Sequence, residues 1–175
     1  MQRFKSILVH ISADEPLPSK IESAVDLAHR NDASLTLFDV VPALSTGRRI
    51  LKTETSQLDV EAAMAEDRLE KLDAIAAGLD APRIETAVGH GTGYIEIIRR
   101  VMSHGHDLIV TAPDEPRRLA FAGAATTMHL MRKSPVPVWV HSAAEVGAHG
   151  VAVAVGPFGT CLLYTSDAAD DDYTG

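Results

Sequence analysis

Short apolar runs and amphipathic segments alternate along most of this chain, and that alternation limits the possible folds more than any other feature. The apolar runs lie at residues 7–11, 35–41, 83–88, 108–110 and 136–140. Largely apolar strands separated by helices are typical of a parallel sheet that is buried on both faces. The pattern therefore predicts an α/β fold with helices on both sides of the sheet.

The segments between the apolar runs have the spacing of amphipathic helices. Pro18 suits the first turn of one helix. A longer helix is expected to begin at a cap formed by Thr55 or Ser56 and to stop at Gly78. Its predicted apolar stripe consists of Val60, Ala63, Met64, Leu69, Leu72, Ile75 and Ala76. Two shorter helices are expected around Ile97 and Met128.

A glycine-rich segment, Gly89-His90-Gly91-Thr92-Gly93, connects the third strand to the helix around Ile97. Glycines at such a turn are typical of loops that bind phosphate groups. Their spacing, however, matches neither a dinucleotide-binding fingerprint nor a P-loop. We interpret the segment as a tight turn into the helix, with backbone contact to a ligand as the alternative.

The turn after the fourth strand has the position of a phosphate loop without the residues for one. It contains Pro113, Glu115 and Pro116 and no glycine. Phosphate binding here requires backbone N–H groups close to the ligand, which glycine permits and proline opposes. The carboxylate of Glu115 would also repel a triphosphate. The scaffold of a nucleotide-binding domain is therefore predicted with a degenerate loop.

The composition excludes several classes of protein. A formal net charge of −8 and short basic runs such as Arg99-Arg100, expected to be solvated, argue against a nucleic-acid-binding surface. No apolar run approaches the length needed to cross a membrane. A single cysteine, Cys161, fits a reducing compartment. These features predict a soluble cytoplasmic protein.

Histidines are the remaining candidates for chemistry. His104, His106 and Asp107 are close in sequence, but their spacing is not that of a zinc site, and a solvated turn is expected. His10 is expected to be a core or sheet-face residue, and His129 to serve packing or a dimer face. No nucleophile elbow or metalloprotease motif occurs. The sequence predicts no catalytic residue, no metal site and no enzyme.

Composition changes near the C-terminus. Residues 1–142 are predicted to form one domain and 143–150 a linker. Residues 151–157 have the pattern of a buried strand with nothing after it to pair with, as expected for the first strand of a missing second domain. Residues 158–175 are excluded from fold reasoning because Cys161-Leu162-Leu163-Tyr164-Thr165-Ser166 resembles a translated transposon-end adapter from sequencing libraries. That origin predicts the codons TGT CTC TTA TAC ACA TCT for this hexapeptide.

Several runs together resemble one protein family. They are Ile7-Leu8-Val9, Ala24-Val25-Asp26-Leu27-Ala28, Leu35-Thr36-Leu37-Phe38-Asp39-Val40-Val41, His106-Asp107-Leu108-Ile109-Val110 and the run from Met128 to Val140. Over residues 3–142 the chain resembles the universal stress protein family, and in particular those members that carry two such domains in tandem.

The resemblance implies a Rossmann-like fold of the adenine nucleotide alpha hydrolase type. This fold is a doubly wound parallel sheet of five strands in the order 3-2-1-4-5. The resemblance also implies association through the fifth strand, with contacts from Val136, Val138, Trp139 and Val140. The partner would be a second copy or the missing tandem domain.

The resemblance further implies a possible ATP site, because many members carry the motif G-x2-G-x9-G-[S/T] after the fourth strand. The matching positions here begin at Ala112 and end near Thr126, and no motif glycine is in place. The candidate nucleotide contacts are Ser12, Val40, Ala112, Arg117 and Thr126. We therefore expect no cofactor, with an ATP-binding switch or weak ATPase as the alternative.

Overall fold

Five parallel strands form one sheet in the computed structural model, which describes residues 4–11, 18–43, 57–113, 126–141, 152–155 and 161–164. The strands are β1 Ser6–His10, β2 Ser34–Val41, β3 Ile84–His90, β4 Leu108–Thr111 and β5 Val138–Val140. The helices are α1 Pro18–Asn31, α2 Gln57–Ala77, α3 Gly93–His104 and α4 Thr126–Lys133. The predicted α/β class is confirmed.

The strands follow the order β3-β2-β1-β4-β5, as the family resemblance implied. β1 is central, and its Ile7 is in register with Leu35 of β2 and Leu108 of β4. β5 is shorter than the predicted run 136–140, so Val136 precedes the strand.

Side chains of the central strands alternate between two apolar layers because successive residues of a strand point to opposite faces. Val9 lies in a cluster with Ala24 of α1 and Leu72 of α2. Leu8 lies in a second cluster with Ile97 of α3 and Leu130 of α4. Burying each large aliphatic side chain contributes about 1.5–3 kcal/mol. The two layers therefore hold the helices on the sheet.

The apolar stripe predicted for α2 is wrong at Ala63 and at Leu69, which are both exposed. Leu72 is buried, but Leu69 is 38% exposed. The neighbouring Arg68 faces the sheet instead and forms an ion pair with Asp39 on β2. Adjacent helix positions point about 100° apart, so Leu69 lies beside the sheet-facing side rather than on it.

The expectation that residues 151–157 have no later strand to pair with is also wrong. β6 Ala152–Val155 pairs with β7 Cys161–Tyr164 in a separate antiparallel sheet. Cα atoms of β6 lie within 8 Å of β5, although β6 is not hydrogen-bonded into the five-stranded sheet. In the part of the chain that the structure describes, no helix is both long and apolar enough to cross a membrane.

Candidate functional site

The strands all end at one edge of the sheet, which we call the carboxyl edge. From β1 the chain builds β2 and β3 on one side, then crosses to build β4 and β5 on the other. In open α/β sheets, ligands bind at the point where the strand order reverses in this way. The ends of β1 and β4 therefore define the candidate site.

A chain of polar side chains crosses this point on the side of α4. The Nδ1 atom of His10 lies 3.2 Å from the Thr111 hydroxyl, which lies 3.4 Å from the Thr127 hydroxyl. Thr127 donates to the carbonyl oxygen of Ala112 at 2.7 Å. Thr111 and Thr127 are both buried. His10 is thus a sheet-face histidine with a polar partner, as the sequence predicted.

A buried lysine lies on the α1 side of the same edge. Lys20 is 3% exposed, and its ammonium donates to the carbonyl oxygen of His10 at 2.8 Å. Nearby, the Ser23 hydroxyl lies 3.2 Å from Nε2 of His141, the residue that follows β5. Sequence reasoning did not single out Lys20, because a lysine on a helix is usually solvated.

The structure brings three of the five candidate nucleotide contacts to the carboxyl edge. Val40 is at the end of β2, Ala112 follows β4, and Thr126 begins α4. Ser12 and Arg117 lie outside the described residues. β1 separates the strand of Val40 from the strand that leads to Ala112.

The structure describes both ends of the loop after β4, at Ala112 and at Thr126. Ala112 carries a Cβ where the family motif has a glycine, and its carbonyl oxygen accepts the Thr127 hydroxyl. Thr126 lies close to Gly93, since a Cβ on Gly93 would be 2.9 Å from its hydroxyl oxygen. Glu115 and Pro116 lie outside the described residues. At the β4 end, Ala112 therefore lacks the glycine backbone that favours close approach of a phosphate.

The glycines between β3 and α3 have packing roles. A Cβ on Gly89 would lie 2.8 Å from the ring of Phe38, and Gly91 has a positive φ of 132°. Gly93 lies against Thr126 at the start of α4. These contacts agree with the interpretation as a tight turn into the helix.

β5 ends the five-stranded sheet opposite β3. The carbonyl oxygen of Pro137 and the N–H of His141 bond to β4. Since alternate residues of a strand bond to the same side, the backbone groups of Val138 and Val140 face away from β4. The Trp139 and Val140 side chains are half-buried.

Val136 differs from the other predicted interface residues. Its N–H donates to the Ser134 hydroxyl oxygen at 3.2 Å, and that hydroxyl donates to its carbonyl oxygen at 2.7 Å. The backbone of Val136 is therefore already bonded within the chain. Any pairing along this edge begins at Val138.

The solvated turn predicted for His104, His106 and Asp107 is wrong for His106. This histidine is 5% exposed, and its Nδ1 atom lies 2.8 Å from the Ser6 hydroxyl. Burial, followed by the nearby charge of Arg100, lowers the pKa of His106 to about 4. No local pattern indicates this burial, because the contact partner Ser6 is 100 residues away in the chain.

His129 has the packing role that was one of its two expected roles. Its ring stacks on Tyr94 of α3 with ring centroids 4.5 Å apart, and the Lys133 ammonium lies 4.7 Å from the Tyr94 centroid. Within the described residues, no group of three or more His, Cys, Asp or Glu side chains could hold a metal ion.

Comparisons with known proteins agree with this fold. UspA of Lactobacillus plantarum is 28% identical, with a TM-score of 0.62, over 80% of this chain and 99% of that chain. A universal stress protein in complex with cAMP is 12% identical, with a TM-score of 0.59, over 82% of this chain and 100% of that chain.

A universal stress family protein from Burkholderia pseudomallei is 16% identical, with a TM-score of 0.55, over 77% of this chain and 93% of that chain. No curated protein is significantly similar to the chain in sequence. Residues 3–141 match the sequence model of the universal stress protein family. Because this match spans most of the chain, the chain belongs to the universal stress protein family.

Proposed function

We propose that this domain is a non-enzymatic, cytoplasmic pairing module of the stress response. It associates through β5 with a second domain of the same fold and does not bind ATP through the loop after β4. The observation that carries the proposal is the position of β5 at the end of the sheet, with two backbone positions facing outward.

An unpaired strand edge is a template for another strand. Val138 and Val140 offer N–H and C=O groups on the outer side of β5, and the apolar side chains of Trp139 and Val140 are half-buried beside them. Met128 of α4 adds an apolar side chain that is 52% exposed. Antiparallel pairing with an identical edge would satisfy the backbone groups and cover apolar surface.

The partner is either a second copy of this chain or a following domain of the same fold. The proximity of β6 to β5 supports the second arrangement, since it brings the segment after the linker to the β5 edge.

The pairing is tested by replacing Val140 with lysine and measuring mass by size exclusion with light scattering. We expect the unmodified chain to be dimeric and Val140→Lys to raise the dimer dissociation constant at least about tenfold, or about 1.4 kcal/mol. Met102→Lys is the matched control, because Met102 lies on α3 and is 73% exposed. A monodisperse monomer of the unmodified chain at high concentration contradicts pairing between copies.

An ATP-binding switch or weak ATPase is the second candidate. It is favoured by the positions of Val40, Ala112 and Thr126 along the carboxyl edge and by the buried ammonium of Lys20 at the end of β1. Against it stand the missing motif glycines, whose matching positions are about Ala112, Glu115 and Ala124 or Ala125.

Calorimetry with ATP and magnesium separates the two candidates. Under the pairing proposal no binding is expected at micromolar ATP, and Thr126→Ala leaves the result unchanged. Micromolar binding that Thr126→Ala weakens would replace the pairing proposal with the nucleotide switch. Arg117→Ala provides an independent second variant.

A further inference from the structure

The edge of the sheet where the strands begin, which we call the amino edge, holds a second buried polar cluster. Here the last turn of α3 meets the first residues of β1 and β4. The Asp107 carboxylate accepts hydrogen bonds from the backbone N–H groups of Lys5 at 2.6 Å and Ser6 at 3.1 Å. His106 lies beside it, with Nδ1 2.8 Å from the Ser6 hydroxyl.

Two nitrogen atoms in this cluster are buried without a hydrogen-bond partner among the described residues. They are Nε2 of His106 and Nε of Arg100. Arg100 also has an ion pair, but through a different atom, since its Nη2 lies 3.7 Å from the Glu85 carboxylate. Buried polar atoms are rarely left unbonded, so each of these nitrogens requires an explanation.

The chemistry of the two groups permits one economical arrangement. A guanidinium stays protonated, so Nε of Arg100 can act only as a donor. A neutral imidazole has one donor and one acceptor nitrogen. If Nδ1 of His106 carries the proton and donates to the Ser6 hydroxyl, Nε2 is an acceptor and can receive the Arg100 proton through one water molecule.

We propose that His106 and Arg100 form an acid-sensitive lock that holds the last turn of α3 against the starts of β1 and β4. With a neutral imidazole, both nitrogens have complementary roles. Protonation turns Nε2 into a donor, which can no longer accept a proton from Arg100, and adds a positive charge that the Arg100 guanidinium repels. The lock therefore opens in acid.

The charged groups around His106 are consistent with this behaviour. Burial is the largest influence that lowers its pKa, to about 4, followed by Arg100 and His104 on α3. Glu85 on β3 and Asp107 before β4 act in the opposite direction and raise it. The folded chain thus disfavours the imidazolium, which the unfolded chain forms below about pH 6.5. Stability is complete above that pH and falls between about pH 6.5 and 4.

The lock connects the two edges of the sheet because α3 reaches from one to the other. Its first residue, Gly93, lies against Thr126 at the carboxyl edge, and its C-terminal cap, Gly105, directly precedes His106. Release of the last turn in acid would loosen a helix that also contacts the start of α4.

The first test is the tautomer of His106 in the full chain, observed by nitrogen-15 NMR of the imidazole rings. We expect the proton on Nδ1 at neutral pH and a titration midpoint well below the usual value of about 6.5. Arg100→Met should move that midpoint upward. A proton on Nε2 at neutral pH, or a midpoint near the usual value, would overturn the proposal.

The second test compares urea unfolding at pH 7.5 and pH 4.5. The lowered pKa of His106 predicts that this residue alone raises the unfolding constant about 70-fold as the pH falls from 7.5 to 4.5. His106→Gln should lose that contribution. His104→Gln is the matched control, since His104 is exposed and only two residues away. This variant should keep the acid sensitivity of the unmodified chain. Equal acid sensitivity of His106→Gln and the unmodified chain would reject the lock.

Discussion

Asp39 and Arg68 form a buried ion pair that links β2 to α2. The two side chains are 6% and 19% exposed, and Nη1 of Arg68 donates to the Asp39 carboxylate at 2.7 Å. The other carboxylate oxygen accepts the N–H of Val40 at 2.7 Å. A buried carboxylate that loses its cation is costly, because its desolvation is no longer compensated.

Arg68→Met is therefore expected to lower the free energy of unfolding by about 3 kcal/mol. Arg30→Met is the matched control. Its partner Asp26 is 3.7 Å away, and both side chains are largely exposed. Such a pair contributes about 0–1 kcal/mol. Urea denaturation of both variants measures the two losses in the free energy of unfolding. Equal losses would show that the buried ion pair contributes no more stability than the exposed one.

Among the elements, the junction of β3 with α3 depends most on a small residue. Gly89 lies under Phe38 of β2 and beside Glu96 of α3, and a Cβ on it would be 2.8 Å from the Phe38 ring and 3.1 Å from the Glu96 Cβ. Phe38 is 3% exposed, so its ring has little room to move. The glycine thus sets how closely α3 approaches the sheet.

Gly89→Ala is expected to destabilise the fold by about 1–3 kcal/mol, the usual cost of overpacking. Gly78→Ala is the control, because its Cβ would meet only the Ile75 carbonyl oxygen at 3.5 Å, an ordinary contact. Thermal unfolding of both variants measures the effect. If Gly78→Ala were the more damaging change, the proposed close contact at Gly89 would be wrong.

At the scale of the whole molecule, both apolar clusters are complete by β5. Within the described residues, the last member of either cluster is Val140. β6 and β7 pair with each other rather than with the five-stranded sheet. The predicted domain 1–142 should therefore fold without the residues that follow it.

A chain that ends at residue 142 is expected to keep the circular dichroism spectrum and the unfolding midpoint of the longer chain. A chain that ends at residue 135 is the control. It lacks β5 and the fully buried Val138, and it should melt at a lower temperature. Loss of structure in the 142-residue chain would mean that β6 or β7 contributes to the domain.

The sequence alone determined the order of elements and most of their bounds. Apolar runs and helix signals depend on neighbouring residues, which is why Pro18 marks the start of α1 and Gly78 follows the end of α2 as expected. The strand order came from the family resemblance, whose runs are also local.

Tertiary structure alone decided which polar residues are buried. Lys20 lies under the end of β1, Arg68 reaches β2, and His106 lies between α3 and β1. Each environment is built by segments that are far apart in the chain, so no local pattern reports it. The burial and pairing of charged groups depend on the assembled fold, whereas the hydrophobic periodicity that specifies helices and strands can be read from neighbouring residues.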